Sequence, residues 1–130
     1  MPRAYTVATA ALALGVPAKW VDNILSHNKV TGVRQERQGV ARCLGIEGLI
    51  VLALTVVLVN ELGLSTTKAI SVAEGIVKSR GRYIAARGLS IVIDLEAFQA
   101  SLLEHLESAV EIAPIPRRGR PPKNKTGRLD

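Results

Sequence analysis

Aromatic residues are almost missing from this 130-residue chain, which holds one Trp, one Phe and two Tyr. An aromatic-lined ligand pocket is therefore not advertised, and any core has to be aliphatic. Cysteine occurs once, at Cys43. That excludes an internal disulfide and a cysteine-based metal cluster, and it fits a reducing compartment. The lone thiol is expected as a small buried or half-buried hydrophobe. No charged-then-apolar leader opens the sequence, so a cytoplasmic protein is expected. A long hydrophobic run is also lacking. The nearest, GLIVLALTVVLV at 48–59, is uninterrupted only over the 11 residues from Leu49 to Val59. A membrane span needs about 20, so this run predicts a helix buried on most of its circumference, not an anchor.

The catalytic inventory is equally thin. His27 and His105 lie in different segments, and His105 sits between Glu104 and Glu107 as a solvated imidazole would. There is no carboxylate pair, no nucleophile with a base at a recognisable spacing and no phosphate-cradling glycine loop. The sequence points away from an enzyme, and no cofactor or metal is expected.

Aliphatic residues and basic charge are what the chain does have. Hydrophobic residues make up 48%, enough for one domain with appendages, and the net charge is +6. That charge is unevenly spread. Residues 114–130 carry six cations (Arg117, Arg118, Arg120, Lys123, Lys125, Arg128) against Asp130, leaving eleven cations and ten acids in residues 1–113. Two clusters stand out in this near-neutral body: Lys29, Arg34, Arg37 and Arg42 around Glu36, and Lys78, Arg80, Arg82 and Arg87 with no acid among them. Basic charge gathered into patches and a tail is the electrostatic footprint of a nucleic-acid binder.

Thr6 can cap a first helix, VATAALALG, stopped at Gly15. AKWVDNILSH follows after Val16-Pro17, with Trp20, Val21, Ile24 and Leu25 on one side. Two short helices joined by so tight a turn form a helix-turn-helix. Residues 30–44 read as a small hairpin with a long, basic, exposed tip. Residues 46–62 form the apolar helix up to Gly63, and Ser65 caps another with Ala69, Ile70, Ala73 and Ile76-Val77 inward. RYIAARGLSIVID reads as two strands around Arg87-Gly88, with 90–93 the clearest strand. Asp94 then caps a helix whose Leu95, Phe98, Leu102, Leu106 and Ala109 form one stripe, widened by Leu103 and Val110. Pro114 ends it, and the Pro-, Gly-, Arg- and Lys-rich tail has too little apolar surface to order itself.

A second helix lying in the major groove presents polar residues to base edges. The candidate contacts of this helix are Lys19, Trp20, Asn23, His27, Asn28 and Lys29, with Asp22 among its polar positions. The hairpin tip offers Arg34, Gln35, Arg37 and Gln38 to phosphates or the minor groove. The plainer reading is that any small helical domain contains short helices and a polar loop.

The order GVPAKWVDNIL, basic hairpin, ARCLGIEGLIVLALTVVL, ELGLSTTKAI resembles the winged helix-turn-helix of MerR-family transcription regulators over about residues 5–78. Tyr5-Thr6, Gly15-Val16, Val21, Arg42, Leu49, Gly63 and Ile70 occupy the matching places. The resemblance implies that Lys19 and Asn23 face the groove and that Arg34, Arg37 and Arg42 belong to the wing. Three positions depart from that pattern: Val16-Pro17-Ala18 replaces a Ser/Thr-capped helix start, Asp22 stands where a base is usual, and Cys43 where an aromatic is. Metal sensing, a known activity of the family, finds no cysteine cluster here.

In the tail, Arg118-Gly119-Arg120-Pro121, flanked by Arg117 and Lys123, looks like an AT-hook. Glycine lets the backbone approach the floor of a narrow A·T-rich minor groove, proline keeps the segment extended, and the arginines meet the enhanced negative potential. A disordered basic tail with only non-specific phosphate attraction is the simpler alternative.

The expectation is thus a mainly α protein with small β elements. It comprises a winged helix-turn-helix at 1–80, a β-hairpin and helix at 81–113 for dimerisation through Ile91, Ile93, Phe98, Leu102 and Leu106, and a flexible tail at 114–130. The expected function is sequence-selective binding of double-stranded DNA by a homodimeric, nucleoid-associated transcription regulator. Two alternatives remain at this point: an architectural nucleoid protein with A·T-biased, low-specificity binding, and a protein-interaction adaptor or antitoxin-like module.

Overall fold

Local rules set each element of the computed structural model, which describes residues 4–35 and 42–112. A short strand β1 (Tyr5–Thr6) runs directly into helix α1 (Val7–Leu14). Thr6, extended at ψ 164, caps that helix by accepting from Thr9 N at 3.1 Å. Gly15 ends it in the left-handed region at φ 71, where a Cβ would be strained, and Val16 N–H closes the turn on Ala11 O at 3.0 Å. Helix α2 (Ala18–His27) follows a three-residue link that ends in Pro17. Its buried side is Val21, Ile24 and Leu25.

The hairpin is formed by β2 (Val33–Arg34) and β3 (Cys43–Leu44), paired antiparallel with Val33 opposite Leu44. The other edge of β3 pairs with β1, so Tyr5-Thr6 serves both as cap and as third strand, giving the order β1-β3-β2. Strand alternation decides the fate of Cys43. Leu44 points into the core at 0% exposure, so its neighbour must face out, and Cys43 is exposed rather than buried. The expectation of a buried thiol is corrected by that two-residue period.

Helix α3 (Ile46–Leu62) is the hub. From Gly48 to Thr55 every residue is buried, as its apolar run required, and the one hydroxyl in that stretch, Thr55 Oγ, donates to Val51 O at 2.8 Å. Helix α4 (Thr66–Lys78), capped by Ser65 Oγ accepting from Lys68 N at 3.3 Å, packs along α3. A second antiparallel hairpin follows, β4 (Arg82–Ile84) with β5 (Ser90–Val92), turning through a 3-10 turn at Ala86–Gly88. Asp94 Oδ1 accepts from Ala97 N at 3.1 Å and caps α5 (Leu95–Ile112).

Helix α5 folds back over the start of the chain and packs on α1 and α3. Leu102, Leu106 and Ala109 are thereby buried in the chain's own core, Leu106 at 1% exposure. The assignment of Leu102 and Leu106 to a dimer face is therefore corrected. The small side chains of α1 (Ala10, Ala11 and Ala13, all buried) leave room for α5, and the centre of the stripe is buried there, while Leu103 and Val110 at its margin stay exposed. The described residues form a mainly α protein with two small antiparallel sheets. Among them no helix is long and apolar enough to cross a membrane.

Candidate nucleic-acid interface

With Val21, Ile24 and Leu25 turned inward, the helical period sends Lys19, Asp22, Asn23, Ser26 and His27 to the exposed side of α2. His27 Nδ1 donates to Asn23 O at 2.8 Å, since a carbonyl can only accept. That bond fixes the ring and leaves Nε2 for an outside partner. Lys19 and Asn23, the pair placed in the groove by sequence, are both exposed and one helical turn apart.

Three expected contacts of this helix are placed differently from one another. Trp20 is half-buried and packs against the core, so only part of its ring faces outward. Asn28 is the C-cap of α2, with its backbone N and Nδ2 both directed at Ile24 O, at 2.9 and 3.0 Å. The side chain closes the helix end and is only partly exposed. Lys29, by contrast, is exposed and lines an open groove of about 830 Å³ between this link and α4, where Lys78 also lies.

The hairpin is held beside α2 by polar clamps of long sequence separation. Arg42, at the foot of the returning strand, places one guanidinium nitrogen 3.6 Å from Asp22 Oδ1 and another 3.4 Å from Ser26 Oγ. Asp22 and Ser26 lie four residues apart on one helix face, so a single forked cation meets both. Ser26 Oγ itself donates to Asp22 O at 2.8 Å. The residue that departed from the MerR-like pattern thus has a use: Asp22 holds the hairpin stem. Arg42, expected as a wing contact, is occupied in the stem instead of standing free at the tip.

On the opposite flank Glu74 of α4 grips the start of the hairpin, accepting from Thr31 Oγ at 2.7 Å and from Thr31 N at 3.2 Å. Gly32, at φ 85, sits so close to the first turn of α3 that a Cβ there would lie 2.6 Å from Gly48 N. These contacts tie the start of the hairpin to α3 and α4. Arg34 and Gln35 lead outward from the stem and are exposed. Arg37 and Gln38 lie outside the described residues, as do Arg117, Arg118, Gly119, Arg120, Pro121 and Lys123 of the tail.

The residues expected at a dimer contact are not brought to one surface. Ile91 and Ile93 are half-buried against the core, and Phe98 is half-buried at a small apolar depression between α1, α3 and α5. The two histidines stay far apart in role as well as sequence: His105 Nδ1 donates to Ser101 O at 2.7 Å within α5.

Sequence reasoning missed both clamps. Arg42 is 16 residues from Ser26 and Glu74 is 43 from Thr31, so only the folded chain shows that they meet. Compared with known proteins, the chain finds no matching family model, no matching curated protein and no matching solved structure.

Proposed function

We propose that this chain binds double-stranded DNA with sequence selectivity, as a transcription regulator of winged helix-turn-helix type. In this reading α2 lies in the major groove with Lys19, Asn23 and His27 toward base edges, and the β2–β3 hairpin lies as a wing on the phosphate backbone through Arg34. The tail, with Arg118-Gly119-Arg120-Pro121, adds a tethered grip on neighbouring A·T-rich minor groove.

The observation that carries the proposal is the Arg42 clamp on Asp22 and Ser26. Groove reading requires that helix and wing keep one mutual angle, and a polar clamp between exposed elements supplies that without adding core. Two copies on an inverted repeat would extend the contact, and with Leu102 and Leu106 committed to the core the pairing surface is sought elsewhere.

Selection of the intact chain against random duplexes at physiological salt, with sequencing of the retained pool, tests this. A discrete enriched motif is expected, and an inverted repeat would mean two copies per site. Retention with A·T bias alone would replace the regulator by an architectural DNA-coating protein. No retention would end the DNA reading and favour an adaptor that binds protein.

A further inference from the structure

The second basic cluster, Lys78 to Arg87, has no part in the helix and wing just described, yet the fold gathers it onto one projecting element. Strand pairing places Arg82 opposite Val92 and Ile84 opposite Ser90, so these four share one face of the β4–β5 hairpin, and all four are exposed. Tyr83 and Ile91 take the other face and pack on the core, the Tyr83 ring lying where Gly75 leaves room on α4. Inward and outward faces are thus settled, and the outward one is unpartnered. It carries Ile84 at 70% and Val92 at 68% exposure, with Leu89 at 63% near the tip.

What covers such a face is decided by its charge. From Gly75 to Ile93 there are four cations and no acid. Among the described residues Lys78, Arg82 and Arg87 are exposed and make no ion pair, the single salt bridge being that of Arg42. The nearest acids are otherwise engaged or lie to one side. Glu74 is bonded to Thr31, while Asp94 caps α5 and shares a notch with Glu96 and Arg80. A second copy docking face to face would set these cations against their own images, which costs free energy. A polyanion meets them with opposite charge.

The two non-glycine residues with positive φ in the described chain are both arginines of this cluster, Arg80 at φ 58 and Arg87 at φ 64. Glycine adopts that conformation without strain, and an arginine does not. At Arg80 this conformation closes the end of α4, where Gly81 N–H bonds Ile76 O at 2.8 Å, and at Arg87 it turns the hairpin, which leaves the Arg87 side chain exposed at the tip. Lys78, at the base of the hairpin, lines the same groove as Lys29 at the exit of α2, so the basic surface runs on from the candidate interface.

We infer that the outer face of the β4–β5 hairpin is a second DNA-binding surface, with Arg82 and Arg87 on the phosphates of duplex flanking the site read by α2, and Ile84, Leu89 and Val92 against the sugars between them. This rests on the DNA-binding reading above, and it replaces the dimerisation role expected for the hairpin.

The test uses the full chain, the motif from the random selection, and duplexes that extend it stepwise on each side. Wild type is expected to gain affinity with flank length. The Arg82→Ala/Arg87→Ala double variant is expected to lose that gain, to bind about tenfold or more weakly at physiological salt, and to show a salt slope reduced by about two. It should keep the motif preference, whereas Lys19→Ala/Asn23→Ala should lose preference and keep the flank-length gain. Arg87→Gly separates function from folding: its denaturation midpoint should be no lower than wild type while its flank contribution falls. A double variant with unchanged slope and flank dependence overturns the inference and leaves the DNA reading standing. A double variant that turns a dimer into monomers, without change in contacts per copy, also overturns it and makes the face an interface between copies. Wild type that binds no duplex overturns both readings together.

Discussion

Asp22 sits on the face that α2 would turn toward a polyanion, where a carboxylate repels phosphate. Its contact with Arg42 is 3.6 Å long and its side chain is half exposed, so the pair adds little to stability, on the order of 0.5 kcal/mol. Its value lies in position. Asp22→Ala is therefore expected to lower the denaturation midpoint only slightly and to raise affinity for random-sequence DNA, because one repulsive charge is gone. Preference for the selected motif should fall at the same time, since hairpin and helix lose their common angle. Competition binding with specific and random duplexes reads both changes, and a variant with unaltered preference would remove the clamp from the mechanism. Arg42→Lys discriminates further: an ammonium keeps the charge but lacks the fork that reaches Asp22 and Ser26 together, so motif preference should fall as in Asp22→Ala.

At the scale of elements, the joints are more sensitive than the faces. Gly32 combines a left-handed φ of 85 with a Cβ position 2.6 Å from a backbone nitrogen of α3. Gly32→Ala should cost roughly 2–4 kcal/mol in urea unfolding, because neither backbone can give way without breaking the Gly45 N–H bond to Gly32 O. Leu106→Ala, which empties a site 1% exposed, should cost about 2–5 kcal/mol. That loss should not depend on protein concentration, since the side chain packs within one chain. The same joints show what sequence could carry. Thr6, Gly15, Gly63, Ser65 and Asp94 act on residues a turn away, so the five helices were legible from caps and period, to the boundaries of α3 itself. The direction in which α5 turns its stripe was not legible. An apolar stripe is the same pattern whether it meets a partner or its own α1, and only the small Ala side chains on α1, read in three dimensions, decide it. The pairing of Tyr5-Thr6 with β3 was hidden for a related reason: two residues are too short for a strand period.

For the whole molecule the governing quantity is where charge sits relative to the folded body. Removing residues 113–130 takes away six cations and one acid, so the net charge falls from +6 to +1. The described core residues all lie before residue 112, and the caps that set the helices are likewise retained. The truncated chain is therefore expected to unfold at an unchanged midpoint. Its DNA affinity should nevertheless fall by on the order of tenfold or more, because a tethered second grip raises affinity through effective concentration rather than through new contacts in the body. The loss should be largest for motifs with A·T-rich flanks, if Arg118-Gly119-Arg120-Pro121 enters the narrow groove there, and equal for A·T- and G·C-rich flanks if the tail merely neutralises phosphates. The two mechanisms also part in salt. A groove-seated hook keeps its flank preference as ionic strength rises, whereas diffuse attraction fades for every flank alike. Binding of full-length and truncated chains to one motif with exchanged flanks, at low and high salt, therefore assigns the tail its role independently of α2 and of the β4–β5 hairpin.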